Sequence, residues 1–554
     1  MCIIWKYSWV EEGIPLLLEE TKASIGNRLV QDYLSSFDLV QDFFVHAPYQ
    51  DAAWKERREW LFEHPLSHRE QLVEGLRNYN QSLQNHEAAM LNIEKLKEVE
   101  TYVVIGGQQP GVLTGPLYVI YKAVTLIKLA QKHQAETGKP VIPVFWIASE
   151  DHDYEEVNHV YVQAWERAIE KLQLDYRPKA KTSISQLPVG SDSLQNMTSE
   201  YFSRLPDSVY HKQLKSQLLH VAGSASSLNE FFAKIMAWLF GEYGLVLVDS
   251  ADAWVRKLEK PIFASFIEKD MSKELMSVQE NLLKQGYHSQ LDIQKENAHF
   301  FIYESGQRQL LIRKGQEFQA KGGGRLYRSE ELLKRLEDDP CSFSANVVSR
   351  PIMQEWLFPV LAFVGGPGEI SYWAQLKPVF EHMNMQMPIV FPRMSFTLIE
   401  RDISKYMESF QLNLEDVYER WEELRRNWIM EQTATDLSAR FQELKTSLQS
   451  AYLPFLDQIT QVEPGVKKLG EANWTKILSH LDFLERKTEE AIEIRHHAGL
   501  KHWDDIQASL YPMEKPQERV YNIFGYLNKY GYSFIKDLIS QPLELQPKHM
   551  IVYI

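Results

Sequence analysis

Glu150, Asp151, His152 and Asp153 put three carboxylates and an imidazole in four consecutive positions, directly after an apolar run. Groups of these types can act as a general base or hold a divalent cation. Neighbouring side chains of an extended loop point apart, so Asp151, His152 and Asp153 are not expected to reach one ion together. A second group is Gly106-Gly107-Gln108-Gln109-Pro110-Gly111, followed by Thr114, Gly115, Tyr118 and Lys122. It is neither a complete G-x-G-x-x-G nor a P-loop, because no G-x-x-x-x-G-K-[ST] occurs. Its glycines permit close backbone approach, and the N-terminus of a following helix favours an anion or a carbonyl oxygen. A third group comprises Arg350, Gln354, Glu355, Gly365, Gly366, Gly368, Glu369, Tyr372 and Trp373, with Arg393 further on. Arg350 and Arg393 are candidates for holding phosphate or carboxylate. The Tyr372 and Trp373 rings could stack on a base or a sugar, although core packing is the commoner fate of such side chains.

The first two groups must be positioned by strands. Residues 101–107 form a buried-strand pattern that breaks at glycines and restarts as a helix running to Gly138, with Thr114 as a natural N-cap and Pro116 near the first helical position. Residues 141–148 are a second apolar strand. Two parallel strands joined by a helix bring both loops to one carboxyl edge, where open α/β sheets bind ligands. The third group is expected to flank a buried helix over 352–364, whose Gly365-Gly366 terminus redirects the chain into a second helix.

The rest of the chain narrows the function. Its 554 residues suit two or three domains, and 44% hydrophobic with 24% charged residues is a globular composition. A net charge of −15 argues against a nucleic-acid or anionic-membrane binder, so an anionic substrate needs a local basic pocket. Only Cys2 and Cys341 are present, which excludes a disulfide framework or cysteine-rich zinc site and fits a reducing cytoplasm. The apolar stretch 14–18 lies between acidic pairs and is not expected to be a signal peptide; no apolar run reaches the roughly 18 to 20 residues of a membrane span.

An α/β, Rossmann-like parallel-sheet core is therefore expected over 1–396, with inserts at about 163–240 and 297–345, the second rich in short strands. Residues 397–500 differ, because apolar residues fall at three-four spacing through Val417, Trp421, Leu424 and Trp428, and again from Leu437 to Phe455, with a register slip near 431–435. After breaks at Pro454 and Pro464, a second run continues to Ala498. This predicts an antiparallel helical coiled-coil hairpin of roughly 50 to 60 Å. Trp421 and Trp428 are large for a seam and suggest packing beyond the partner helix. Residues 501–554 are expected to pack back on the core.

The segments 107–118, 143–153, 350–355 and 365–373, with Glu518-Arg-Val-Tyr-Asn-Ile-Phe524, resemble the bacillithiol biosynthesis cysteine-adding enzyme family along essentially the whole chain. The resemblance implies a cytoplasmic bacterial ligase joining L-cysteine to glucosaminyl malate. It also implies a nucleotidyltransferase-type Rossmann core like that of class I aminoacyl-tRNA synthetases, connecting-peptide inserts, and a coiled coil pairing two subunits. Gln108, Gln109 and Thr114 stand where that superfamily usually carries His-x-Gly-His. A free carboxylate is a poor acyl donor, so an ATP or ADP cosubstrate is expected, and a divalent metal is left open. Lys122, Arg350 or Arg393 would neutralise malate or phosphate, and an acid of the 150–153 loop would serve as base or metal ligand. Two other readings use the same residues: a metal-dependent hydrolase or phosphotransferase built on the 150–153 loop, and a non-enzymatic coiled-coil interaction protein.

Overall fold

Five parallel strands form the central sheet of the computed structural model: β1 (Tyr102–Gln108), β2 (Val141–Ile147), β3 (Val246–Asp249), β4 (Val360–Gly365) and β5 (Ile389–Pro392), in the spatial order β3-β2-β1-β4-β5. The structure describes residues 17–21, 27–178, 180–291, 293–432, 437–541, 545 and 548–554. Cys2, most of the apolar stretch 14–18 and most of the region of the register slip lie outside the described residues.

Strand residues alternate between two cores. Val104, Phe145, Ile147 and Leu247 face helix α1 (Leu117–Thr137) and the helix Leu228–Phe240, whereas Val103, Ile105, Val144, Trp146 and Val248 face helices that include Arg69–Ser82. A sheet covered on both faces explains why its strands read as continuous apolar runs. From β1 the chain proceeds outward to β2 and β3, then returns to β4 on the other side of β1. That reversal opens a crevice at the carboxyl ends of β1 and β4.

The helix expected over 352–364 is instead two elements, helix α2 (Ser349–Leu357) and strand β4. Pro359 is the physical reason. It disfavours the helical region for Phe358, which adopts φ −126° and ψ 150°, and it has no N–H to continue the helical ladder. Thr114 is not an N-cap either. Leu113, Thr114 and Gly115 all have positive φ, and α1 starts after Pro116. Asn522 holds this left-handed loop by donating its amide to the Leu113 and Gly115 carbonyls at 2.6 and 2.7 Å.

Gly107 pairs with Trp146 across β1 and β2, and a Cβ there would lie 2.1 Å from the Trp146 carbonyl oxygen. Gly107→Ala is therefore expected to cost about 3 kcal/mol or more through overpacking against backbone. Thermal melting checks this, and an unchanged midpoint would contradict the strand pairing.

Between β2 and β3 the chain adds an antiparallel pair, His159–Gln163 with Ile169–Gln173, and the helices Ser191–Arg204, His211–Ser224 and Leu228–Phe240. Between β3 and β4 it adds a five-stranded sheet, four of whose strands lie within 297–328 and the fifth of which is Phe343–Ala345. Lys515–Ile554 belongs to the core unit, and His549–Tyr553 pairs antiparallel with Leu17–Thr21. No helix among the described residues is long and apolar enough to cross a membrane.

Ile399–Glu514 is a second compact unit, whose described elements from Arg401 onward are all helices. Its hairpin consists of Leu437–Val462 and Lys467–Arg495, turning at Pro464–Val466. The helix continues through Pro454 without a break. At about 1.5 Å per residue these described arms are about 40 and 44 Å long, against the roughly 50 to 60 Å expected; Trp421–Gln432 is a further helix, and 433–436 lie outside the described residues. Leu456 packs on Gly470, where a Cβ would lie 2.1 Å away, and Lys445 bridges Asp482 and Glu485. The two large seam aromatics find partners within this unit. Trp421 lies 4.8 Å from Trp503, Trp428 lies 5.4 Å from Phe410, and Gly499 leaves room for the Trp428 indole.

Candidate active site

The crevice between β1 and β4 is built around Lys122. One turn into α1, this lysine is 1% exposed and donates to the Gly107 carbonyl and to Glu369 Oε2, each at 2.6 Å. Gln108 Oε1 stands 3.5 Å from the same Nζ. Burial draws the Lys122 pKa below its ordinary value, Glu369 opposes that shift, and Arg393 and Arg350 add to it. Glu369 is placed by helix α3 (Pro367–Trp373), where it also accepts the Gly366 N–H at 2.8 Å. Two strand ends and the helices that follow them thus meet at one ion pair. An ammonium buried beside two arginines is an arrangement suited to carboxylate or phosphate oxygens.

The arginines are held individually. Arg393 makes a two-pronged contact with Glu518 at 2.9 and 2.6 Å, and lies 5.9 Å from the Tyr118 ring. Burial raises the Tyr118 pKa. Arg350, on α2, donates to the Tyr372 hydroxyl at 2.6 Å. Gln354 is 2% exposed and its Oε1 has no hydrogen-bond partner among the described residues. Around Gly368 a Cβ would meet nothing within 4 Å, so this edge is open. Trp373 lies instead in the core, stacked between Phe363 and Phe380.

The second loop joins the first through Gln109, whose amide donates to Asp151 Oδ2 at 2.8 Å. Gly111 N–H returns to the Gln109 carbonyl at 3.0 Å, and Gly115 lies close enough that a Gly111 Cβ would crowd its Cα. Glu150 is buried and engaged by Arg256, by Ser344 Oγ at 3.1 Å and by the Ala345 N–H at 3.0 Å. Asp151, His152 and Asp153 do converge, with candidate ligand atoms within 4.8 Å of one another. This corrects the expectation of divergence, because the loop is turned rather than extended: Tyr154 N–H bonds the His152 carbonyl at 2.9 Å and Glu156 N–H the Asp153 carbonyl at 3.1 Å.

Arg308 decides what His152 can do. Its Nη1 lies 2.9 Å from His152 Nδ1, and a guanidinium can only donate, so Nδ1 accepts and the ring proton sits on Nε2. Burial and Arg308 both lower the His152 pKa, which keeps the ring neutral. A metal on Nε2 would require the proton on Nδ1, facing the Arg308 donor. The arrangement therefore favours His152 as a neutral hydrogen-bond donor, and leaves Asp151 and Asp153 as the accessible bases.

Arg256, Arg308 and the tail residues Glu518 and Asn522 were not among the residues expected to form the site. Glu518 and Asn522 had a signal, in a tail segment that carries the family resemblance. Arg256 and Arg308 had none, because an arginine on a helix or a short strand looks like surface until its partner is known.

Residues 16–394 match the model of the bacillithiol biosynthesis BshC N-terminal Rossmann-like domain, and residues 396–554 match its C-terminal coiled-coil domain. A protein of Bacillus cytotoxicus is 35% identical over 95% of this chain and 97% of its own length. One of Geobacillus sp. (strain WCH70) is 35% identical over 97% of this chain and its own full length. A Bacillus cereus protein is 34% identical over 95% of this chain. All three carry the name "Putative cysteine ligase BshC". With its Rossmann-like and coiled-coil domains both matched over nearly the whole length, the chain belongs to the bacillithiol biosynthesis BshC family.

Proposed function

We propose that this enzyme forms the amide bond between the carboxyl group of L-cysteine and the sugar amine of glucosaminyl malate, the last step of bacillithiol biosynthesis. The observation that carries the reading is the gathering of Lys122, Arg350 and Arg393 around Glu369 at the crevice of an otherwise acidic protein. ATP or ADP would be the cosubstrate. The cysteine carboxylate would attack the γ-phosphorus of ATP and expel ADP, or the β-phosphorus of ADP and expel AMP, giving an acyl phosphate; attack on the α-phosphorus of ATP would expel pyrophosphate and give an acyl adenylate. The amine would then displace phosphate or AMP from the carbonyl carbon. Lys122 and Arg350 would bear the phosphate charge that develops. The His152 Nε2–H would donate to the carbonyl oxygen, and Asp151 or Asp153 would take the proton the amine loses. The test is incubation of purified protein with L-cysteine, glucosaminyl malate and each nucleotide, with and without Mg²⁺, read by mass spectrometry. Bacillithiol is the expected product, and its absence under every condition would overturn the reading.

The same proposal includes a cytoplasmic homodimer joined through the helical unit. What supports the dimer is the apolar surface its hairpin leaves exposed, including Phe455 at 58%, Leu469 at 72% and Phe483 at 51%. Exposed apolar residues mark an interaction site where they form one contiguous patch. Phe455 and Leu469 stand at one level of the hairpin, since Gly470 faces Leu456. Phe455→Glu with Leu469→Glu should weaken dimerisation about 100-fold or more, each lost burial counting about 1.5–3 kcal/mol. Light scattering at micromolar concentration should then give a monomer; a dimer that persists would place the interface elsewhere.

A further inference from the structure

The segment running from Gln517 to Asn522 returns to the carboxyl edge of the sheet and is tied there on both sides of Arg519. Glu518 grips Arg393 with both oxygens and also accepts from Ser395 Oγ at 2.9 Å. The Tyr521 carbonyl accepts the Leu117 N–H, at the first turn of α1, at 2.8 Å, and Asn522 holds the loop before it. Arg519 thus sits on a segment fixed against the first turn of α1, and its charge acts on Tyr118 there, as do those of Glu156, Arg393 and Glu369.

Lys122 and Arg393 each face a carboxylate. Arg519 differs, because its side chain is exposed and makes no hydrogen bond or ion pair among the described residues. Among the described residues no hydrogen bond or ion pair accounts for the Arg519 guanidinium, although its backbone is fixed on both sides. An exposed cation on a fixed segment, beside a site where Lys122 and Arg393 are already paired, is matched to an anion that arrives from solvent.

We propose that Arg519 is an anion-recognition residue that binds the dianionic part of a substrate, a dicarboxylate or a phosphate. This rests on the ligase reading for its choice between two sources, the malyl group of the amine substrate and the phosphates of the nucleotide. The test compares the full-length chain with Arg519→Met and Arg519→Lys by calorimetric titration of L-malate and, separately, of inorganic pyrophosphate at low ionic strength. KM and kcat are measured for glucosaminyl malate and for ATP on the same samples. Arg519→Met should weaken one of the two anions about 10- to 100-fold, the scale of a lost charge-assisted contact. It should raise the KM of the corresponding substrate with kcat little changed, and Arg519→Lys should recover part of the loss. Loss of malate binding assigns the malyl group, and loss of pyrophosphate binding assigns the nucleotide. Unchanged binding of both anions, or a wild-type chain that binds neither, overturns the proposal. If the wild-type chain makes no bacillithiol while Arg519→Met still loses an anion, the ligase reading fails and the role of Arg519 stands. Product formation with both anions unaffected by the substitution gives the reverse.

Discussion

Lys122→Met is expected to lower kcat/KM for bacillithiol formation by about 100- to 1,000-fold, the range seen when one preorganised donor to developing charge is removed. The ammonium holds together the end of β1 and the start of α3 through Gly107 and Glu369. Methionine fills a similar volume but offers no proton, so the Gly107 carbonyl loses a donor and Glu369 keeps only the Gly366 N–H among the contacts described above. The variant should also melt earlier, because breaking a buried pair leaves the other charge uncompensated. Lys122→Arg should not rescue activity, since a guanidinium does not fit a site shaped for three donors from one nitrogen. Steady-state kinetics by product mass, with circular dichroism to follow folding, measures both effects. Activity within about 10-fold of wild type would remove Lys122 from the chemistry.

Arg256→Leu is expected to destabilise the core unit by about 3 to 5 kcal/mol, the cost of leaving buried carboxylates without their counter-charge. Arg256 is 2% exposed and lies between Glu150 and Glu259, contacting Glu259 at 2.5 Å. Burial pushes the Glu259 carboxyl up to about 8, with Arg256 opposing and Glu150 reinforcing. The pH dependence follows in sign. Because the folded pKa lies above that of the unfolded chain, about 4.3, the proton retained by Glu259 stabilises the fold fully below that value. This contribution falls as pH rises through about 8. Without Arg256 the buried Glu259 carboxyl binds its proton more tightly, so the loss should be least below about pH 8, where Glu259 keeps its proton in both proteins, and grow as pH rises beyond it. Urea unfolding at several pH values checks this, and a loss independent of pH would mean that packing, not charge, dominates at Arg256.

The strands that carry the first two loops were legible because continuous apolar runs end abruptly in glycines or acids. The partner strand β4 was not. Residues 352–364 are apolar nearly all round, apart from Gln354 and Glu355, so periodicity alone could not separate a buried helix from a buried strand, and only Pro359 marks the change. Without β4 beside β1 the crevice has one wall. Lys122 and Glu369 could each be singled out by residue type, but their pairing across 247 positions comes from topology. The convergence of Asp151, His152 and Asp153 was hidden for another reason. Three adjacent residues diverge or meet according to the turn of the backbone, and that turn is set by bonds to Ala148, His152 and Asp153 carbonyls. The helical hairpin was legible in its spacing, whereas the partners of Trp421 and Trp428 lie on helices at either side of it in sequence, Arg401–Phe410 and His497–Leu510.

The central claim is that the cysteine carboxyl group is activated by a nucleotide in the β1/β4 crevice before the amine attacks. L-Cysteine labelled with ¹⁸O in its carboxyl group tests this most directly, in a reaction containing glucosaminyl malate and ATP. One labelled oxygen per turnover should leave cysteine and appear in phosphate or AMP, identified by mass spectrometry. Bacillithiol formed with no label in either would contradict the account.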